Sequence, residues 1–324
     1  MSITLALAGD TMLGRGVANR LAMISPADLF SDELREIFTT ADLTVLNLEC
    51  CVSTRGEPWG SPGKRFHFRA PPQAVEALAS LDVDCVTLAN NHALDFGHDA
   101  LADTRGHLAR AGIQAVGAGA DRAQARAAAV LEARGVRVAV LGVTDHPEDF
   151  AAGPDRPGVA YADLSSGTPD WLVDQVGLLR QEADAVLVTP HWGPNMIDEP
   201  LPYVRRAADT LVAAGATLVA GHSAHVFHGV AGPVLYDLGD FIDDYIVDAY
   251  LHNDLGLMFL ITLDERGLSE VAAVPLFLDR CHTRLAEDAE WAWIRDRFTV
   301  ACAEFGTPVR EEDGRLIVEI SPRG

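Results

Sequence analysis

The chain has 324 residues, enough to bury a sizeable core without disulfide staples. With 25 basic against 47 acidic residues its formal charge is −22, which repels nucleic acid and anionic membrane surfaces. The five cysteines show no framework spacing, and neither a long apolar span nor a basic-led signal segment is visible, so a cytoplasmic protein with reduced thiols is expected.

In chain order, residues 3–8 predict a strand ending in Gly9-Asp10-Thr11-Met12, and Gly14-Arg15-Gly16 opens a helix. Asp10 at that handover suits either a metal ligand or a helix cap. Arg15 suits a clamp for carboxylate or phosphate, or a solvated side chain. Residues 28–40 predict a helix and 43–48 a strand, whose end puts Asn47 and Glu49 on one side. Cys50 and Cys51 follow as ligands or buried filler. Residues 52–72 form a Gly- and Pro-rich loop carrying Trp59, Lys64, Arg65, His67 and Arg69, the make-up of a binding loop.

A helix at 72–81 leads to a strand at 83–89, then the turn Asn90-Asn91-His92 and an amphipathic helix at 94–110. That turn is either a capping turn or a site, with Asp95 nearby. Next come a strand (113–116), a helix (120–128) and a hairpin (130–133 with 136–143) ending in Thr144-Asp145-His146. Residues 153–168 are irregular and 169–182 helical. A strand at 185–189 ends in Pro190-His191-Trp192-Gly193, a helix spans 201–214, and a strand at 217–220 ends in Gly221-His222-Ser223-Ala224-His225. Residues 233–238 predict a strand before Gly239-Asp240. Two strands (257–263 and 268–275) around a turn at 264–267, a helix (287–305) and a strand (315–320) finish the chain.

Asp10, Glu49, Asn91, His92, His191, His222 and His225 thus fall at ends of predicted strands. Mixed oxygen and nitrogen donors of this kind suit Mn, Fe, Zn or Ca and argue against a structural Cys-zinc site. The ordered set G-D-T-M, N-L-E, L-A-N-N-H-A-L-D-F-G, H-W-G, G-H-S-A-H-V and L-G-D-F-I resembles the CapA-like family, a branch of the calcineurin-like metallophosphoesterases named for capsule and poly-γ-glutamate synthesis. The resemblance implies an α/β fold, a four-layer αββα sandwich with a site for one or two divalent ions at strand ends between two sheets. One domain (1–324) is expected, with the family motifs in 9–245 and a C-terminal extension at 256–324.

The resemblance makes Asp10, Glu49, Asn91, His191, His222 and His225 the metal ligands and His92 the residue at the reacting centre, with Asp95 orienting its ring. Arg15, Trp59, His67, Arg69 and Asp240 are expected to bind substrate. This sequence departs from the usual metallophosphoesterase pattern at Met12 and Ala93, in Glu49 replacing an aspartate, and in the stretched His222–His225 pair. The leading expectation is Cα epimerisation of a ribosomal peptide, as in lasso-peptide epimerases. A phosphoesterase is second, and poly-γ-glutamate synthesis last because of the net charge. A peptide or small molecule is the expected partner, without nucleic acid or membrane.

Overall fold

In the first strand, Ile3–Thr11, alternate side chains enter different cores. Ile3, Leu5 and Leu7 join one buried cluster, and Ala6 and Ala8 another. The computed structural model describes residues 2–60, 64–265 and 267–320; Ser61, Pro62 and Gly63 of the long loop and Arg266 of the 264–267 turn lie outside them.

The first strand runs parallel to Leu43–Leu48, which continues the same direction through Cys85–Thr87 and Gln114–Val116. On its other side it pairs antiparallel with Leu255–Asp264, which pairs with Gly267–Leu278. Ten strands of the described residues form this sheet. A second sheet of six strands has Val136–Thr144, Ala185–His191, Leu218–Ala220 and Val234–Leu235 in parallel.

The period-2 pattern repeats in the second sheet: Val138, Val140 and Leu187 point into the cluster shared with Leu5 and Val45, while Ala139, Leu141 and Val186 point away. Helices cover the two outer faces. Leu34, Leu78, Leu101 and Leu108 cover the first sheet; Leu172, Val176, Val204 and Leu211 cover the second. The result is the expected order of helix, sheet, sheet, helix.

Several elements are shorter than the sequence pattern predicts. The 28–40 helix is split into a 3-10 turn, Pro26–Leu29, and a helix, Asp32–Phe38, whose first turn is capped by Ser31 Oγ accepting from Leu34 N at 3.2 Å. The 120–128 helix is reduced to Arg122–Ala125. The central helix starts at Gly97, because residues 90–96 are held in turns by side-chain hydrogen bonds. The 233–238 strand shrinks to Val234–Leu235, and Asp240–Ile242 instead pairs parallel with the first strand. All five cysteines are free and buried. Among the described residues no helix is long and apolar enough to cross a membrane.

Candidate metal and acid/base site

At the carboxyl edge of both sheets the first strand bulges around Gly9, and Asp10 is brought opposite Asn47 on one side and Asp240 on the other. A Cβ on Gly9 would lie 1.8 Å from the carbonyl oxygen of Gly239, which itself has φ +75°. Only glycines permit this approach. Asn47 then donates to Asp10 Oδ1 at 2.7 Å, and Asn90 donates to Asn47 Oδ1 at 2.8 Å.

The second sheet supplies the histidines. His191 closes its strand and bridges to His222. His222 Nδ1 lies 3.3 Å from Asp10 Oδ1, and His225 Nδ1 lies 3.3 Å from Asp10 Oδ2 and 2.8 Å from Asp240 Oδ1. Glu49 is 3.8 Å from His191 Nε2 and 4.0 Å from His225 Nδ1. Ser223 and His225 both have positive φ, 110° and 62°, a conformation that L side chains rarely adopt. Buried Asp237 holds them there by accepting from Ala224 N and Gly239 N, each at 2.8 Å.

Burial opposes charge on Asp10, but the His222 and His225 rings outweigh it and hold the carboxyl well below its usual range. Burial, followed by the Asp10 charge, pushes Glu49 well above its own. Burial keeps His191 neutral, its pKa well below the ordinary value. Asp237 is pushed up to about 8 by burial and Asp10.

Asp10, Glu49, His225 and Asp240 each offer a ligand atom within 4.8 Å of the others. Both oxygens of Glu49, both ring nitrogens of His191, His222 Nδ1, Asn91 Oδ1 and Asp240 Oδ2 are buried without a hydrogen-bond partner. Unpartnered buried carboxylates are costly unless a cation compensates them. The donor set therefore fits a divalent ion. Asp240, expected to touch substrate, stands inside this cluster.

Beside the cluster, His92 Nδ1 lies 2.6 Å from Asp95 Oδ2. Asp95 also accepts from Phe68 N at 2.6 Å and lies 2.7 Å from Lys64 Nζ. Burial lowers the His92 pKa to about 4, with Asp95 pulling the other way. The ring is stacked on Phe68, centroids 3.9 Å apart. A cavity of about 270 Å³ opens here, lined by Arg15, Phe68, His92, Asn195, His225 and Tyr245 among others. Arg15 is pinned by Asp244 at 3.3 Å and sits against the rings of Phe66, Phe68 and Tyr245.

The other loop residues expected to bind substrate secure the loop itself. Trp59 Nε1 donates to Asp149 at 2.9 Å, His67 Nε2 reaches the carbonyl of Trp59 at 3.0 Å, and Arg69 lies over Phe96 while donating to the carbonyls of Arg55 and Gly56. Phe68, Asn195, Asp237 and Tyr245 carry no signal in the sequence that marks them as site residues. Lys64, expected within the basic, aromatic loop, reaches Asp95 behind His92.

The family model of bacterial capsule synthesis protein PGA_cap matches residues 4–245. A probable polyglutamine synthesis accessory protein of Mycobacterium tuberculosis is 30% identical, covering 99% of this chain and 96% of the relative. The PGA biosynthesis protein CapA of Bacillus subtilis is also 30% identical, covering 98% and 82%. Similar solved structures include the NAD nucleotidase of Haemophilus influenzae, at 11% identity and TM-score 0.46, over 86% of this chain and 50% of that one. Another is a 5'-nucleotidase of Candida albicans, at 12% and 0.47, over 86% and 52%.

Proposed function

The chain belongs to the bacterial capsule synthesis protein PGA_cap family, and from that premise we propose that it is a metal-dependent enzyme performing acid/base chemistry on a peptide-type substrate. The observation that carries this reading is the His92–Asp95 pair beside the buried carboxylate and histidine cluster. With Nδ1–H donated to Asp95, Nε2 is the ring atom left to take a proton at the cavity. Asp10, Glu49, Asn91, His191, His222, His225 and Asp240 would hold the metal. A divalent ion supplies a Lewis acid that stabilises negative charge developing on a substrate oxygen. Arg15 on the cavity wall orients a substrate carboxylate, and Phe68 and Tyr245 limit water beside His92.

The leading reaction is removal and return of a peptide Cα proton, that is, epimerisation, as in maturation of a lasso-type precursor. Chemistry on a polyglutamate-type amide is the second reading, supported by relatives named for polyglutamine synthesis and PGA biosynthesis. A charge of −22 weighs less against that substrate than the sequence suggests. Arg15 lines the cavity and Lys64 stands behind His92, and nearby charges govern what a partly buried pocket accepts.

The test uses metal-loaded protein in deuterated water with peptides bearing a free C-terminal carboxylate, γ-glutamyl oligomers and a generic phosphate ester. Epimerisation raises the peptide mass by about one unit, and His92→Gln slows it by roughly a hundredfold or more. Cleavage of γ-glutamyl bonds, lost in the same variant, assigns the second reading. Release of phosphate alone would sink both.

A further inference from the structure

We propose that the cavity beside His92 selects a substrate residue with one free carboxylate and an apolar side chain. Arg15 takes the carboxylate, and Phe66, Met196 and Ile246 take the side chain. This rests on the acid/base reading above and names the class of residue on which that site acts.

The walls of the cavity carry the argument. Phe66, Phe68, Met196, Tyr245 and Ile246 line it, and no aspartate or glutamate is among its lining residues. Ile246 is 92% exposed and Phe66 59%, and Val247, next in the chain, lines the adjoining hollow. A single apolar side chain left in water is ordinary, but several gathered round one concave site mark a surface that a ligand covers. At about 270 Å³ the cavity lies near the lower end of ligand pockets, a size for one residue rather than a length of polymer.

Three separate segments build this wall. Phe66 comes from the long loop after Leu43–Leu48, Met196 from the turn after Ala185–His191, and Ile246 from the chain that follows Asp240–Ile242. Met196 is held at φ +56°, which few residues other than glycine adopt, with its N–H donating to the carbonyl of Ala224 at 3.0 Å. Its unbranched thioether can adapt to side chains of different shape. Arg15 Cζ lies 5.7 Å from the centroid of the Phe66 ring, so a carboxylate on Arg15 sets the rest of its residue beside this wall.

Charge decides which side chain fits. The adjoining hollow, of about 300 Å³, shares Tyr245, Ile246 and Asn253 with the cavity. Asp243, Asp244 and Asp254 line it against one cation, Arg280. A residue with a second carboxylate would press that charge on apolar walls, or beyond them on these aspartates. Both placements are costly for an ion stripped of water. An apolar side chain meets neither penalty and gains by covering Phe66 and Ile246. The same contrast disfavours γ-linked glutamate, each unit of which carries a carboxylate.

The experiment titrates metal-loaded protein by calorimetry with peptides that differ only in a last residue of Leu, Phe, Gln or Glu. A Leu peptide with an amidated terminus and a γ-glutamyl oligomer complete the set. The Leu and Phe peptides should bind about ten- to a hundredfold tighter than the Glu peptide, the scale for burying one large apolar side chain. Amidation should weaken the Leu peptide by roughly tenfold, through loss of the charged partner of Arg15. Ile246→Ser and Phe66→Ser, both at exposed positions, should each narrow the preference for Leu over Glu by about threefold or more, and Ile246→Leu should keep it. Binding of the Glu peptide within about threefold of the Leu peptide overturns the proposal, as does a γ-glutamyl oligomer that binds tighter than either. A native preference in the doubly substituted Phe66→Ser, Ile246→Ser protein overturns it too. A Leu peptide that binds as expected but takes up no Cα deuterium leaves the subsite standing and sinks the acid/base reading, so the two failures are distinct. No binding by any peptide overturns both.

Discussion

His228 shows at the scale of one residue how burial without a charged partner sets pH dependence. Its Nε2 donates to the carbonyl of Ile197 at 3.0 Å, while Nδ1 is buried with no partner. Burial lowers its pKa to about 4, and Arg297 nearby works the same way. The unfolded chain gains this proton as pH falls through about 6.5, whereas the folded protein resists until about 4. The unfolded state therefore binds more protons in that window, and stability is lost as pH falls from about 6.5 towards 4. The full contribution is roughly 3 kcal/mol. His228→Gln keeps a donor for Ile197 and does not titrate. Urea unfolding at pH 7 and pH 5 should show a stability drop smaller than native by about 2 kcal/mol. Equal drops in the two proteins would remove His228 from the account. His225, three residues earlier, has the opposite fate: burial opposes its charge, but Asp240, Glu49 and Asp10 raise its pKa well above normal.

At the scale of elements, the site depends on how closely backbones approach. Gly9 and Gly239 let Asp240–Ile242 lie beside the end of the first strand, which sets Asp10 opposite Asp240. Gly9→Ala would force the two segments apart, because its Cβ would fall 1.8 Å from a carbonyl oxygen. Loss of bound metal and a lower melting temperature are expected together. Gly106→Ala, in the helix Gly97–Arg110 with only Arg110 Nη1 near at 3.4 Å, is the control and should be neutral or slightly stabilising. Metal content by elemental analysis, unchanged in Gly9→Ala, would show that the cluster does not need this approach. The same contrast explains what was legible in the sequence. Buried parallel strands such as Leu43–Leu48 and Ala185–His191 announce themselves as apolar runs, and their last residues led directly to Glu49 and His191. Asp240–Ile242 gave no such signal, since three residues acquire strand geometry only by docking on the first strand. For Asp240 the sequence alone therefore points to a substrate contact rather than to the cluster it joins. For Trp59, His67 and Arg69, loop composition points to binding groups but not to what holds them. Their partners, Asp149 and backbone carbonyls, lie too far off in sequence or are too general to be foreseen.

At the scale of the whole molecule, the family model ends at residue 245, yet the remaining chain reaches into the centre of the fold. Leu255–Asp264 is the direct antiparallel neighbour of the first strand, the one that carries Asp10. Without it, the backbone groups on that side of Ile3–Thr11 would lose their partners in a buried sheet. The helix Asp288–Ala303 then closes the space between the sheets. Its Ile294, Phe298 and Cys302 belong to the same cluster as Leu5, Val140 and Leu187. Its start is secured by a capping box between Glu287 and Glu290. Phe298 is fully buried, with ring centroids 6.0 Å from Phe227 and 6.1 Å from Phe259. Phe227 follows His225 by two residues, so this helix packs behind the loop that carries the site histidines. Phe298→Ala should cost about 3–5 kcal/mol, the range for emptying an aromatic core position. A chain ended after residue 245 should fail to fold, because it lacks both this helix and the strand beside Asp10. The check is a denaturation curve for the variant and a two-dimensional amide spectrum for the truncated chain. A truncated chain with dispersed signals and bound metal would make residues 246–324 an accessory to a self-sufficient core. Collapsed signals, with a full-length Phe298→Ala that unfolds early, make the C-terminal segment part of the scaffold that holds Asp10 and His225 in place.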